Sequence, residues 1–149
     1  MLKYDKPLIA ALIGVLATLP YEIITRVLVF IGIGKYSVYQ LTSLVITIDR
    51  PSTIIGMILS CTVGGSVTIL FYYAIKKLGR DYLVLKGASF SLIVWVLMEA
   101  IFVWLIEGPE LIDPRPLTDY YIHMIGSIFF GVTFSILLRF YLFRKSNVT

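Results

Sequence analysis

An all-α integral membrane protein, a bundle of four helices in one domain spanning residues 1–149, is what the sequence predicts. Three observations lead there. Hydrophobic residues make up 58% of the chain and charged residues 15%, against about 45–50% and about 25% in soluble domains. Mean hydropathy is +0.91. Residues 51–75 and 120–138, 25 and 19 positions long, contain no Asp, Glu, Lys or Arg; a helix needs roughly 20 residues to cross a hydrocarbon core. A soluble domain this small could not bury so much apolar surface, and the composition excludes disorder. A single cysteine, Cys61, excludes a disulfide-stapled fold.

Four spans are expected, at about 8–33, 53–75, 86–106 and 120–141. The first is apolar from 7 to 33 except for Glu22 and Arg26, and the third from 87 to 106 except for Glu99. Lys3, Lys6 and the triplet Val15-Leu16-Ala17 also fit a cleaved leader, but the apolar run resumes at 27–33, as a retained helix requires. Between the first two spans, residues 36–50 are too apolar for a plain loop and too short to cross, so a re-entrant or interfacial segment is expected. Between the last two, Pro109, Pro114 and Pro116 stiffen the link at 107–119, and Thr118 or Asp119 can cap the helix that follows.

Basic residues set the orientation. Nine of thirteen fall at the N-terminus, the link between spans two and three, and the C-terminal end: Lys3, Lys6, Lys76, Lys77, Arg80, Lys86, Arg139, Arg144 and Lys145. The opposite links hold Lys35, Arg50 and Arg115 beside five acids. Both termini are therefore expected in the cytoplasm of a prokaryote, with the protein in its plasma membrane. The net charge of +4 belongs to this topology. It points to anionic lipid as the partner of the basic face and not to nucleic acid, since no aromatic-interleaved basic groove is present.

Helices in lipid associate through small residues, and each span carries such residues at four-residue spacing. Span one has Ala10, Gly14, Thr18, Glu22 and Arg26; span two Gly56, Ser60, Gly64 and Thr68. Span three has Gly87, Ser91, Trp95 and Glu99; span four His123, Ser127, Gly131 and Ser135. These mark interior faces. The Gly56–Ser60–Gly64 stripe is also a candidate surface for a second copy or a larger membrane complex.

Ionisable residues within spans are costly and face bundle interiors. Glu22, Arg26, Glu99 and His123 share the outer half of the bilayer and form the expected polar cluster. Glu22 and Arg26 are spaced i, i+4 in the favourable order for an ion pair. Pro20 removes a hydrogen bond to the carbonyl of Leu16, which predicts a kink there, with Thr18 or water serving the freed carbonyl. Two readings follow. In the first, one acid remains open to a proton, cation or small solute, and the chain is a transport or channel component. In the second, the charges form an ionic lock in a non-catalytic structural or accessory subunit. Trp95, one turn before Glu99, is placed to shield that acid. Trp104, Tyr120 and Tyr121 suit an interfacial aromatic belt.

No phosphate loop, nucleophile elbow, zincin motif or paired-Asp transferase motif is present, so no catalytic residue is expected. Neither a metal nor a cofactor is expected, because His123 has no neighbouring ligand motif. Leu-Pro-Tyr-Glu-Ile-Ile in span one matches Val-Leu-Met-Glu-Ala-Ile in span three weakly, with the glutamates 77 residues apart. A duplicated helical hairpin would produce this spacing.

Overall fold

The computed structural model describes residues 5–143; Lys3, Arg144 and Lys145, used above for orientation, lie outside them. The described chain is helical, in the order α1 (Lys6–Phe30), α2 (Val38–Thr47), α3 (Thr53–Leu78), α4 (Leu83–Phe102), a π turn (Val103–Glu107) and α5 (Leu117–Tyr141). Counting the π turn with α4, four helices are long and apolar enough to cross a membrane. The chain fits a small multi-pass membrane protein. The short helix α2 occupies the segment expected to be re-entrant or interfacial.

The boundaries have local causes. Asp5 accepts a hydrogen bond from the Leu8 N–H at 3.4 Å at the start of α1, and Ser52 does the same for Ile55 at 3.5 Å at the start of α3. α1 stops at Phe30, short of the expected residue 33, and Gly32 follows at φ +85°. α3 runs on to Leu78 and ends where Gly79 takes φ +81°, a conformation that only glycine adopts freely. α5 begins at Leu117, directly after Pro116. Asp119 is thus inside the first turn and is not the cap.

The helices pack in the order α3, α1, α5, α4, with α2 laid against α3 at one end. Glycines allow close approach at each pairing. A Cβ on Gly14 would overlap the Gly64 carbonyl oxygen, and one on Gly131 would overlap the Ser91 hydroxyl. Ser91 and Ser127 exchange reciprocal bonds between α4 and α5: each hydroxyl donates to the other's carbonyl, at 2.7 and 2.9 Å. Tyr21 lies across Gly126, where a Cβ would strike its ring. The aromatic core comprises Phe71, Tyr72, Phe130 and Phe134. Leu8, Leu12, Leu16 and Ile23 on the far side of α1 are exposed, a face suited to lipid.

The Gly56–Ser60–Gly64 stripe faces inward, which corrects its reading as a surface for another subunit. Gly56 abuts the Tyr39 carbonyl of α2, Ser60 donates to Thr42 Oγ1 at 3.1 Å, and Gly64 meets Thr18 of α1. All three are buried within one chain. Although a tight turn joins α3 to α4, the two touch little, and a cavity of about 190 Å³ opens between them.

Candidate functional site

Glu22 is buried and joins three elements. Its Oε1 accepts from Arg26 Nε at 2.6 Å and from Ser37 Oγ at 3.0 Å, while its Oε2 accepts from the Tyr39 N–H at 2.9 Å. One turn on, Thr25 Oγ1 accepts the Val38 N–H at 3.0 Å. Side chains of α1 therefore cap the N-terminus of α2, satisfying two of the backbone donors that a helix leaves free at its start. The positive end of the α2 dipole faces the carboxylate. Arg26 is itself half exposed and also donates to Thr53 Oγ1 at 3.2 Å, at the start of α3. The i, i+4 pair is present, but two further donors hold the acid.

α1 runs through Pro20 without a break in helix. The Thr18 hydroxyl bonds to the Val15 carbonyl at 2.8 Å and pairs with Tyr39 Oη at 3.0 Å. It does not serve the Leu16 carbonyl, which corrects the role expected for it at the kink.

Glu99 has a different cation. Arg115, in the proline-rich link, donates through Nη2 to Glu99 Oε2 and through Nε to Glu107 Oε1, each at 2.6 Å. The guanidinium side chain is fully buried. It lies 4.7 Å from the Phe102 ring centroid and 4.5 Å from that of Tyr120, within cation–π range. Burial works against its charge, yet the hydrogen bonds it donates to Glu99 and Glu107 outweigh that and hold the guanidinium pKa above its ordinary value. Glu107 Oε2 also accepts from Tyr120 Oη at 2.8 Å. Tyr120 thus belongs to this network.

The π turn explains how one arginine reaches both acids. Eight α-helical steps advance about 800°, which would set position 107 about 80° from position 99. The wider i→i+5 turns of the π segment advance each residue less, bringing Glu107 back toward the face of Glu99. The Gly108 N–H to Val103 carbonyl bond, 2.7 Å, closes one such turn.

His123 and Asp119 lie four residues apart on α5 and are buried completely or nearly so. Asp119 Oδ1 accepts the Lys35 backbone N–H, tying the loop after α1 to the start of α5. Tyr21 Oη donates to the His123 carbonyl at 3.1 Å. Four buried polar atoms here, Asp119 Oδ2, His123 Nδ1 and Nε2, and Arg115 Nη1, have no hydrogen-bond partner among the described residues.

The expected cluster of Glu22, Arg26, Glu99 and His123 is therefore divided. Glu22 and Arg26 make one ion pair at the α1–α2 junction. Glu99 joins Arg115 and Glu107, which the sequence reading did not assign to the site, and His123 bonds to neither acid. The idea that Arg26 serves one acid and leaves the other free is corrected, because each acid has its own arginine. The two glutamates of the weak internal match also differ: Glu22 pairs four residues away and Glu99 sixteen. Among the described residues no group of three or more metal-ligating side chains occurs.

Comparisons with protein-family models, with curated proteins and with solved structures find no match for the chain. The fold fits the class of small multi-pass helical membrane proteins, with four helices long and apolar enough to cross a membrane.

Proposed function

We propose that the chain is a non-catalytic structural or accessory membrane subunit whose charges form locks that hold neighbouring elements together. The observation that carries this reading is the Arg115 guanidinium, buried between rings and bonded to Glu99 and Glu107 at 2.6 Å each. A transport carboxylate has to exchange its ligand with solvent. Glu99 is instead tied to the link preceding α5, and both oxygens of Glu22 are bonded to α1, Ser37 or α2. The locks hold α2 on α1 and the proline link on α4.

In this reading the protein sits in the plasma membrane of a prokaryote with both termini in the cytoplasm. Lys76, Lys77 and Arg80 then face anionic lipid headgroups, in line with the positive-inside rule. A second copy or a larger complex would use an exposed apolar face such as that of α1, since the small-residue stripes are occupied within the chain.

Reconstitution into vesicles tests the reading. Proton and potassium flux equal to that of empty vesicles is expected. A flux that Glu99→Gln abolishes would overturn it in favour of the transport component.

A further inference from the structure

The cavity of about 190 Å³ between α3 and α4 reaches all five helices, and its walls are almost entirely apolar. The hydroxyls on those walls are committed inside the chain. Thr18, Tyr21 and Thr42 donate to the carbonyls of Val15, His123 and Val38. Ser60 donates to Thr42, and Ser91 and Ser127 each donate to the other's carbonyl. Glu99 is tied to Arg115. An apolar cavity of about this size stays dry and takes hydrocarbon.

The position of the cavity decides which hydrocarbon reaches it. At one end α2 forms a roof, packing Leu41 and Leu44 against Phe102, Ile106 and Ile112. The side between α3 and α4 is open toward the bilayer, since these two helices touch little. α3 has 26 residues. At 1.5 Å per residue it overhangs a hydrocarbon core of about 30 Å by about 4–5 Å at each end. Ser60 and Val67, both on the cavity wall, then lie about 6 and 16 Å into the core from the α2 side. The chains that reach them are those of the leaflet on that side. In the links where α3 and α4 end there, Asp49, Glu110 and Asp113 are exposed, against Arg50; Arg26 is already paired with Glu22. This excess of carboxylates favours a cationic headgroup over an anionic one.

We infer that the cavity is a lipid site, which takes one acyl chain of a phospholipid whose headgroup ends in an ammonium group. The chain enters sideways between α3 and α4, and the ammonium group meets the exposed carboxylates. A helix from another subunit, about 10–12 Å across with its side chains, would have to part α3 from α4, whereas a single hydrocarbon chain enters without moving them. The inference rests on the four helices crossing a membrane and not on the ion-pair locks.

Fluorescence quenching tests it. The chain has two tryptophans, Trp95 on the cavity wall and Trp104 exposed outside it, so Trp104→Phe leaves one indole as reporter. The full chain with this change goes into vesicles of equal parts phosphatidylethanolamine and phosphatidylglycerol. Brominated acyl chains, which quench indole fluorescence on contact, are carried by one lipid or the other. Quenching should report ~5-fold higher occupancy for the ethanolamine lipid, the worth of about one charge contact at a membrane surface. Adding Val63→Phe, which fills the cavity from α3, should remove this preference and most of the quenching while the melting temperature holds or rises. Val94→Phe fills it from α4 and gives the same reading where Val63→Phe fails to fold. Quenching that is equal for the two lipids, or unchanged in the filled variants, would overturn the site and leave only lipid around the outer surface. An unquenched Trp95 in a chain that cross-links to a second copy would also overturn it, giving the gap to a helix of that copy. Both results would leave the locks standing.

Discussion

Arg115 Nη2 lies 2.6 Å from Glu99 Oε2, bridging the middle of the third membrane helix and the link leading to the fourth. Sixteen residues separate the pair, and the proline-rich turn folds back to join them. The desolvation cost of burying an arginine is met by two carboxylates and two aromatic faces. Removing Arg115 would leave both carboxylates without their cation.

Arg115→Ala should destabilise the protein by about 3–5 kcal/mol, because it leaves two acids without their base. Arg115→Lys should recover little of this. A single ammonium cannot reproduce separate Nε and Nη2 bonds to two carboxylates, and it lacks the planar face that lies against Phe102 and Tyr120. Thermal unfolding in detergent measures both variants.

The first ion pair should behave differently. Glu22 keeps the Ser37 hydroxyl and the Tyr39 N–H when Arg26 is removed, and Arg26 is half exposed. Arg26→Ala should therefore cost no more than about 1 kcal/mol, as exposed pairs do. Glu22→Ala should cost more, because it also uncaps α2. Comparative melts of the two variants give the order.

Gly56→Ala should destabilise the chain by about 1–3 kcal/mol, the usual range for overpacking, since its Cβ would overlap the backbone of Tyr39. Backbone cannot swing aside as a side chain can. The mass of the assembly on native mass spectrometry should not change, because the stripe is internal. Dissociation into smaller species without loss of fold would show that the stripe faces another subunit.

At the start of α5, Asp119→Ala should release the loop after α1. The Lys35 amide loses its acceptor there, the Asp119 carboxylate. A hydrogen bond to a charged group is worth about 1.5–3 kcal/mol, so exchange at Lys35 should accelerate ~10–100-fold. Hydrogen–deuterium exchange resolved at that amide checks this.

Much of the fold was legible in the residues. Small residues at four-residue spacing marked the interior: Gly56, Ser60, Gly64 and Thr68 are all buried, as are His123, Ser127, Gly131 and Ser135. The Glu22–Arg26 pair followed from helical geometry alone. The partner of Glu99 did not, because it depends on a return of the chain that no periodicity records. Arg115 read as one of three basic residues in external links. The only local signal was its place in Pro114-Arg115-Pro116, where two fixed φ angles hold an arginine in a set direction. Glu107 was hidden for a related reason: α-helical spacing sets it off the face of Glu99, and only the π turn restores it. The capping of α2 by Glu22 and Thr25 was likewise invisible, since a carboxylate inside a span reads first as a charge in need of a counter-charge.

The most direct test of the lock is a double-mutant cycle between Glu99 and Arg115, measured by unfolding of Glu99→Gln, Arg115→Met and the double variant in one detergent. The account predicts that the two changes are strongly non-additive, with a coupling of about 1–3 kcal/mol and the double variant more stable than Arg115→Met alone. Additive effects, within about 0.3–0.5 kcal/mol, would contradict it, because Glu99 would then be an acid held by no partner.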